Sequence, residues 1–219
     1  TRSSCRVTSS GVPKVVTVLN RLALWVPLSR SIRKQGPAGS AVLALLVTPG
    51  QTETSSSSAL VNVLQGLLRP VLDSVNVVNA PVIAKERGID VREVKRDQAE
   101  DYQTLIRLTI TTERQNRTLA GTLFAGDKPR IVEIKGIKIE AELSPHMIYF
   151  TNEDKPGLIG GMGRILGDAG LNIATFHLGR VETGGDAIGL VSIDGVAREQ
   201  VLDQLRALPR IVQVKTLRF

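Results

Sequence analysis

The residues best suited to chemistry form the run Asn152-Glu153-Asp154-Lys155-Pro156-Gly157-Leu158-Ile159, which is followed by Leu171-Asn172-Ile173. The pattern is typical of an apolar strand, a polar turn carrying a carboxylate, and a helix that opens with Pro-Gly. A helix start has unpaired backbone N–H groups and the positive end of a dipole, so it attracts a small anion such as an amino-acid carboxylate. Asp154 is placed to hold the ammonium group of the same molecule. The run therefore predicts a site for a zwitterion, which indicates sensing rather than catalysis.

Other roles for these residues are ordinary ones. Asn152 and Asp154 are of the types that cap helices, and capping is compatible with ligand binding. They stand two residues apart, so they project from the same side if strand geometry persists. Asn172 can satisfy a turn, and we expect His146 and His177 to be structural or surface residues.

The surrounding pattern predicts a compact unit in residues 145–219. Strands are expected at 147–151, 172–181, 187–193 and 211–217. One helix is expected over 158–169, closed by Gly170, and a second after Asp194, which can cap it, with Pro209 at its end. The order βαββαβ is that of a split-βαβ, ferredoxin-like unit, so we predict an α+β fold class.

Residues 59–144 have the patterns of a second, small α/β domain. Apolar residues from Leu60 to Leu72 fall at helical spacing, although Pro70 should limit or kink that helix. Asn79-Ala80-Pro81 opens another helix, and Gly88 suits its C-terminal end. Strands are expected at 102–112, 118–124 and 130–143. Strict alternation in 137–143 indicates a sheet with one solvent-facing side.

Residues 1–58 form a basic segment that is difficult to interpret and that can include the start of this α/β domain. The first 52 residues contain seven Lys or Arg and no Asp or Glu, whereas the remaining 167 carry 21 residues of each sign. The net charge of +7 therefore belongs to one end of the chain. The rest has no electrostatic footprint for DNA or RNA, so we expect no nucleic-acid partner. A short helix at 25–28 and a strand at 41–47 are expected within the segment.

Cysteine and histidine contents restrict the chemistry further. A single cysteine, Cys5, excludes an internal disulfide framework and a cysteine-based metal cluster, and two histidines are too few for a convincing metal site. The longest apolar runs, such as 41–47, are far shorter than the roughly 20 residues that a membrane span needs. We therefore expect a cytoplasmic protein with no metal and no membrane partner.

Several segments of the chain are similar to a known family. They are Val78-Asn79-Ala80-Pro81-Val82-Ile83-Ala84-Lys85-Glu86-Arg87-Gly88, Gly121-Thr122-Leu123-Phe124, Arg130-Ile131-Val132-Glu133-Ile134-Lys135-Gly136 and His177-Leu178-Gly179-Arg180, together with the run that begins at Asn152. Residues 145–219 resemble an ACT domain, the amino-acid-sensing module of biosynthetic enzymes. Residues 59–219 resemble the regulatory portion of the D-3-phosphoglycerate dehydrogenase family, which acts in serine biosynthesis and has an intervening domain before the ACT domain.

The resemblance implies a site for L-serine, or a similar small amino acid, between the ACT domains of two subunits in a homodimer or homotetramer. Asp154 matches the amino-group ligand of the family, and Asn152 matches its preceding partner. Asn172 matches the amide that the other subunit supplies. Backbone N–H groups of Leu158 and Ile159 would receive the carboxylate.

The resemblance also bears on substrate and cofactor sites. In some relatives the intervening domain binds phosphorylated substrate through basic side chains. Arg130 stands where one of these falls and is a candidate anion or phosphate ligand, whereas Glu142 stands where another would be basic. The catalytic half, which binds NAD in the complete enzyme, has no counterpart here. Gly160-Gly161-Met162-Gly163 lacks dinucleotide-turn spacing, and we expect these glycines to allow close packing of a helix on the sheet.

We therefore interpret the chain as a serine-binding regulatory module of an NAD-dependent dehydrogenase, without catalytic residues or a cofactor of its own. Two alternatives stay open. One is a subunit of an iron–sulfur L-serine dehydratase, whose β subunit has a similar length and a related pair of domains. The other is an oligomerisation module that has lost its ligand.

Overall fold

The computed structural model describes residues 41–47, 56–68, 72, 74–95, 102, 105–112, 115–125 and 128–219. The expected helix at 25–28 lies outside these residues. The chain divides between Gly136 and Ile137 into two compact units. No helix in the described part is long and apolar enough to cross a membrane.

The first unit combines helices with a mixed sheet. Its elements are β1 (Ala41–Val47), α1 (Ser56–Leu68), α2 (Ala80–Glu86), β2 (Ile89–Lys95), β3 (Leu105–Thr112), β4 (Gln115–Phe124) and β5 (Lys128–Ile134). These strands lie in the order β2-β1-β3-β4-β5. β1 and β2 are parallel, and the other neighbouring strands are antiparallel. A parallel pair needs a crossover connection, which α1 and α2 provide here.

The two helices agree with the sequence pattern, and one strand was not predicted. α1 buries Val63, Leu64 and Leu68 and ends before Pro70, which cannot continue it. α2 has a proline in its first turn, and Gly88 follows it with φ +69°. Strand β2 escaped prediction because its alternation is short and Glu93 occupies the third inward-facing position after Ile89 and Val91.

The second unit contains β6 (Ile137–Glu142), β7 (His146–Glu153), α3 (Leu158–Asp168), β8 (Ile173–Arg180), β9 (Asp186–Ile193), α4 (Glu199–Arg206) and β10 (Ile211–Arg218). Four of these strands form an antiparallel sheet in the order β10-β7-β9-β8. The predicted βαββαβ unit is therefore confirmed for β7 to β10. By its contacts β6 groups with this unit, and the domain bounds expected from the sequence stay a prediction.

Both helices of the second unit pack on one face of the sheet. The core between the helices and the sheet contains Ile148, Phe150, Leu158, Met162, Leu166, Val191, Ile193, Leu202, Leu205 and Val214. Two local expectations were wrong. The glycines of α3 were expected to allow close packing of the helix on the sheet. Instead, the closest approach is between Gly161 and Leu208, which follows α4, where an added Cβ would lie 3.0 Å from the leucine side chain. Asp194 does not cap α4, because the helix begins five residues later and Asp194 accepts a bond from Asn172.

Strand β6 packs across β8. A Cβ at Gly179 would overlap the Lys138 carbonyl oxygen, so only glycine allows this approach. Ile137, Ile139 and Ala141 are buried while the residues between them are exposed, which agrees with the predicted sheet with one wet side.

Gly189 provides a test of the core. It lies on β9 opposite Phe150 of β7, and a Cβ there would overlap the fully buried Phe150 ring. We expect Gly189→Ala to lower the free energy of unfolding by about 1–3 kcal/mol because the packed ring cannot move aside. Urea unfolding followed by circular dichroism measures the change.

The matched control is Gly167→Ala. Gly167 is an exposed helical residue, and a Cβ added there would have nothing within 4 Å, so alanine should raise the free energy of unfolding by about 0.5–1 kcal/mol. Equal stability of Gly189→Ala and the unchanged protein would contradict the packing described for Phe150.

Candidate functional site

A row of three paired residues on neighbouring strands lies beside the candidate site. Asn152 of β7 is paired with Ala187 of β9, and Ala187 is paired with Arg180 of β8. Asn152 is two residues after Phe150 and four after Ile148 on the same strand, so it shares the side of the sheet on which these core residues lie and which α3 covers. Neighbouring strands lie about 4.8 Å apart, which puts Asn152 and Arg180 roughly 10 Å apart with a small alanine between them. The row leaves space on the sheet beside the start of α3.

Asp154 follows the end of β7 and docks on the turn between β8 and β9. Its backbone N–H donates to the Gly185 carbonyl oxygen at 2.8 Å. Its Oδ2 accepts a bond from Arg180 Nη1 at 2.8 Å and a longer one from the Gly184 N–H at 3.4 Å. Gly184 has φ +82°, a conformation that glycine adopts at little cost. The carboxylate does not cap α3, so the alternative of simple capping by Asp154 is wrong.

The electrostatic surroundings favour the charged form of Asp154. The hydrogen bond from the Arg180 guanidinium, followed by that from the Gly184 N–H, holds the pKa of the carboxyl below its usual value of 3.8. The Asp154 side chain is 17% exposed and that of Arg180 is 53% exposed. Because the pair remains open to water, it contributes little to stability. Its effect is to fix where the carboxylate lies.

Helix α3 begins beside this carboxylate. Gly157 precedes it with φ +97°, and Leu158 and Ile159 supply its first backbone N–H groups. Residues 154–160, Arg180 and Thr183 line a cavity of about 330 Å³. The structure thus brings three predicted residues, Asp154, Leu158 and Ile159, to one cavity. It adds Arg180, for which the sequence analysis predicted no ligand role.

Asn152 is placed differently from Asp154. It is 3% exposed and does not line the cavity. Its Nδ2 donates to the Glu153 carbonyl oxygen at 2.7 Å, while its Oδ1 is buried without a partner among the described residues. Buried polar atoms are nearly always hydrogen-bonded, so this oxygen is an acceptor that a water or a ligand can satisfy.

Asn172 lies at the other end of α3. It precedes β8, whereas Arg180 at the end of β8 is the residue that contacts Asp154. Asn172 Nδ2 donates to Asp194 Oδ2 at 2.8 Å, and its carbonyl oxygen accepts from the Asp194 N–H at 3.0 Å. The 11 residues of α3 span about 16 Å, so one chain does not bring Asn172 to the cavity.

The first unit offers less that is specific. The Arg130 guanidinium lies 4.1 Å from the centre of the Phe124 ring, and its role as an anion ligand stays a prediction. A larger cavity of about 570 Å³ lies beside α1, α2 and β2. Its walls are mostly aliphatic, with Lys85 and Asp90 as charged residues. The described residues contain no group of three potential metal ligands.

The ion pair predicts how Asp154 titrates. A lowered pKa in the folded protein stabilises the fold above the usual pKa of 3.8, and this contribution is lost as the pH falls through the lower, folded value. In Arg180→Met the first cause of the shift is removed, so the pKa of Asp154 should rise toward 3.8. NMR titration of the carboxyl carbon measures both proteins. An unchanged pKa in the variant would contradict the assigned cause.

Comparison with known proteins finds one domain match in each of the two units of the fold. Residues 45–135 match the model of the D-3-phosphoglycerate dehydrogenase intervening domain, and residues 146–210 match that of the ACT domain. D-3-phosphoglycerate dehydrogenase of Bacillus subtilis is 40% identical over 155 residues, 70% of this chain and 30% of that protein. The enzyme of Methanocaldococcus jannaschii is 34% identical over 155 residues, 70% of this chain and 29% of that protein.

A probable L-serine dehydratase β chain of Bacillus subtilis is also similar, with 27% identity over 154 residues, 70% of each chain. This chain spans less than a third of the length of the two dehydrogenases. Both domain matches agree with the resemblance seen in the sequence, and so does the higher identity to the two dehydrogenases than to the dehydratase β chain. The chain therefore carries the intervening domain and the ACT domain found in D-3-phosphoglycerate dehydrogenases.

Proposed function

We propose that this chain is the amino-acid-sensing module of a D-3-phosphoglycerate dehydrogenase and that it binds L-serine for feedback control. The observation that carries the proposal is the Asp154 carboxylate beside the start of α3, in a cavity of about 330 Å³. The carboxylate offers a partner for an ammonium group, and the helix start attracts a carboxylate. A cavity of this volume suits a small amino acid.

The binding site is shared between two subunits. Asn172 and Asp154 lie at opposite ends of α3, so a single chain cannot supply both. In the described part β8 lies at one edge of its sheet, and Leu178 and Ile159 near that edge are 39% and 55% exposed. If two copies met along β8 around a two-fold axis, their two β8 strands would run antiparallel. The start of one β8 would then approach the end of the other, which brings Asn172 of the partner subunit toward Asp154.

Control of the enzyme follows from differential binding. Serine slows the complete dehydrogenase only if it binds the inactive arrangement more tightly than the active one. The described residues do not fit NAD, because the glycines of α3 lie within the helix and do not form a turn that could hold a pyrophosphate. We assign NAD and the chemistry to the catalytic portion of the complete enzyme and propose a cytoplasmic location, as the sequence predicted.

A site divided between subunits suits this kind of control. A ligand that needs groups from two subunits stabilises the arrangement in which those subunits meet, and it has no such effect on arrangements in which they separate. A site wholly inside one ACT domain would have no direct influence on how subunits are arranged. The separation of Asp154 and Asn172 along α3 therefore supports a regulatory role.

The dehydratase alternative has weaker support. The dehydratase β chain has 27% identity over 154 residues, against 40% over 155 residues for the Bacillus subtilis dehydrogenase. The pure oligomerisation alternative predicts a protein that assembles but binds no amino acid, so a measurement of ligand binding separates it from the sensing function.

Thermal unfolding with L-serine tests the proposal. At about 100 times its dissociation constant the ligand should add about 2.7 kcal/mol of stability, a shift of several degrees. D-serine and L-valine should have little effect, because the side chain and configuration must fit a small cavity. Asp154→Asn should abolish the shift since the ammonium loses its charged partner. The control Asp186→Asn removes an exposed carboxylate outside the cavity and should keep the shift.

Mixing two variants tests whether the site is shared. Asp154→Asn and Asn172→Ala should each fail to bind L-serine as homodimers. After subunit exchange, half of the dimers combine both chains and have one intact site of two, so about a quarter of the binding capacity should return. Isothermal titration measures it. Normal binding by Asn172→Ala alone, or no recovery on mixing, would show that the site lies within one chain or elsewhere.

A further inference from the structure

The two oxygens of the Asp154 carboxylate have different surroundings. Oδ2 receives both Arg180 Nη1 at 2.8 Å and the Gly184 N–H at 3.4 Å. Oδ1 has no partner among the described residues. A carboxylate that is anchored through one oxygen keeps its position while the other oxygen remains free to accept a bond. Oδ1 is therefore the atom available to an ammonium group.

Arg180 also has unused bonding capacity. A guanidinium has five N–H donors in a fixed plane, and within the described residues only Nη1 has a partner. The side chain lines the same cavity as Asp154 and the start of α3. Arg180 is the last residue of β8 and is paired with Ala187 of β9, so its backbone position is fixed. Its remaining donors are available to an anion in the cavity.

We propose that Arg180 is a ligand-binding and specificity-determining residue, which donates its free N–H groups to the α-carboxylate of the amino acid while it holds Asp154 in place. The inference rests on the proposed function and names the ligand class more closely. Asp154 and Arg180 together carry no net charge, and neither does a zwitterion. An amine without a carboxylate would leave the single charge of Asp154 facing two cations, its own ammonium and Arg180, so a free α-carboxylate is required.

This pairing explains how the empty site avoids an unbalanced charge. Without ligand, the charges of Arg180 and Asp154 balance each other. With ligand, the guanidinium keeps its bond to Oδ2 and adds a second carboxylate on its other donors, an arrangement that the planar fork of arginine permits and the point charge of lysine does not.

The experiment compares L-serine with L-serinamide, which keeps the ammonium group and lacks the carboxylate. Isothermal titration uses the full chain and the variants Arg180→Met, Arg180→Lys and Arg164→Met. The unchanged protein should bind L-serine at least about 10-fold more tightly than L-serinamide. Arg180→Met should lose about 10- to 100-fold in serine affinity and most of this preference. Arg180→Lys should retain part of the affinity, since it keeps the charge but not the fork.

Arg164→Met is the matched control. Arg164 carries the same charge and is an exposed residue of α3, but it does not line the cavity. Its removal should leave the preference for L-serine intact. Thermal unfolding without ligand verifies that each variant folds.

The outcomes separate the inference from the function on which it rests. Serine binding by the unchanged protein, with the same preference in Arg180→Met, would overturn the inference and keep the proposed function. Tighter binding by Arg180→Met would also overturn it, because Arg180 would then compete with the ligand for Asp154. If the unchanged protein binds neither compound, the proposed function fails and the inference fails with it.

Discussion

The contact between Phe150 and Gly189 is the constraint on which the second unit depends. The Phe150 ring is fully buried where any side chain at position 189 would stand, and its centre lies 5.8 Å from that of Phe176. A shift of one residue between β7 and β9 would replace this glycine with a larger residue and turn alternate side chains to the other face. The contact therefore fixes the register of β7 on β9, and the pairing of β9 with β8 then sets where Arg180 lies.

The register has a direct consequence for charge. It brings a cation from the end of the edge strand β8 to a carboxylate that follows β7, 26 residues away in the sequence. The neighbouring residue is held in a similar way, because the Glu153 N–H donates to the Arg210 carbonyl oxygen and the Glu153 carboxylate meets Arg210 Nη1 at 3.3 Å. The loop before α3 is thus fixed by backbone and side-chain bonds on both sides. A loop that is already ordered loses less entropy when a ligand binds.

Sequence patterns were sufficient for the elements of the second unit and for part of the site. The helical spacing from Leu158 to Ala169 and the glycine turn at Gly184-Gly185 depend on neighbours close in the chain, and such local preferences are readable from residue types. Strand β2 escaped prediction because a partner strand, β1, stabilises it despite its irregular alternation. Asp194 was misjudged for a similar reason, since a distant residue, Asn172, takes its carboxylate.

The sequence by itself determined the fold class, the two domains, and the choice of Asp154, Leu158 and Ile159 as cavity residues, because motif and helix start lie together in the chain. Only the tertiary structure decided that Arg180 joins Asp154, that Asn152 is buried below the site, and that Asn172 is at the far end of α3. These placements depend on strand register and helix length, which bring together or separate residues irrespective of their distance in the sequence.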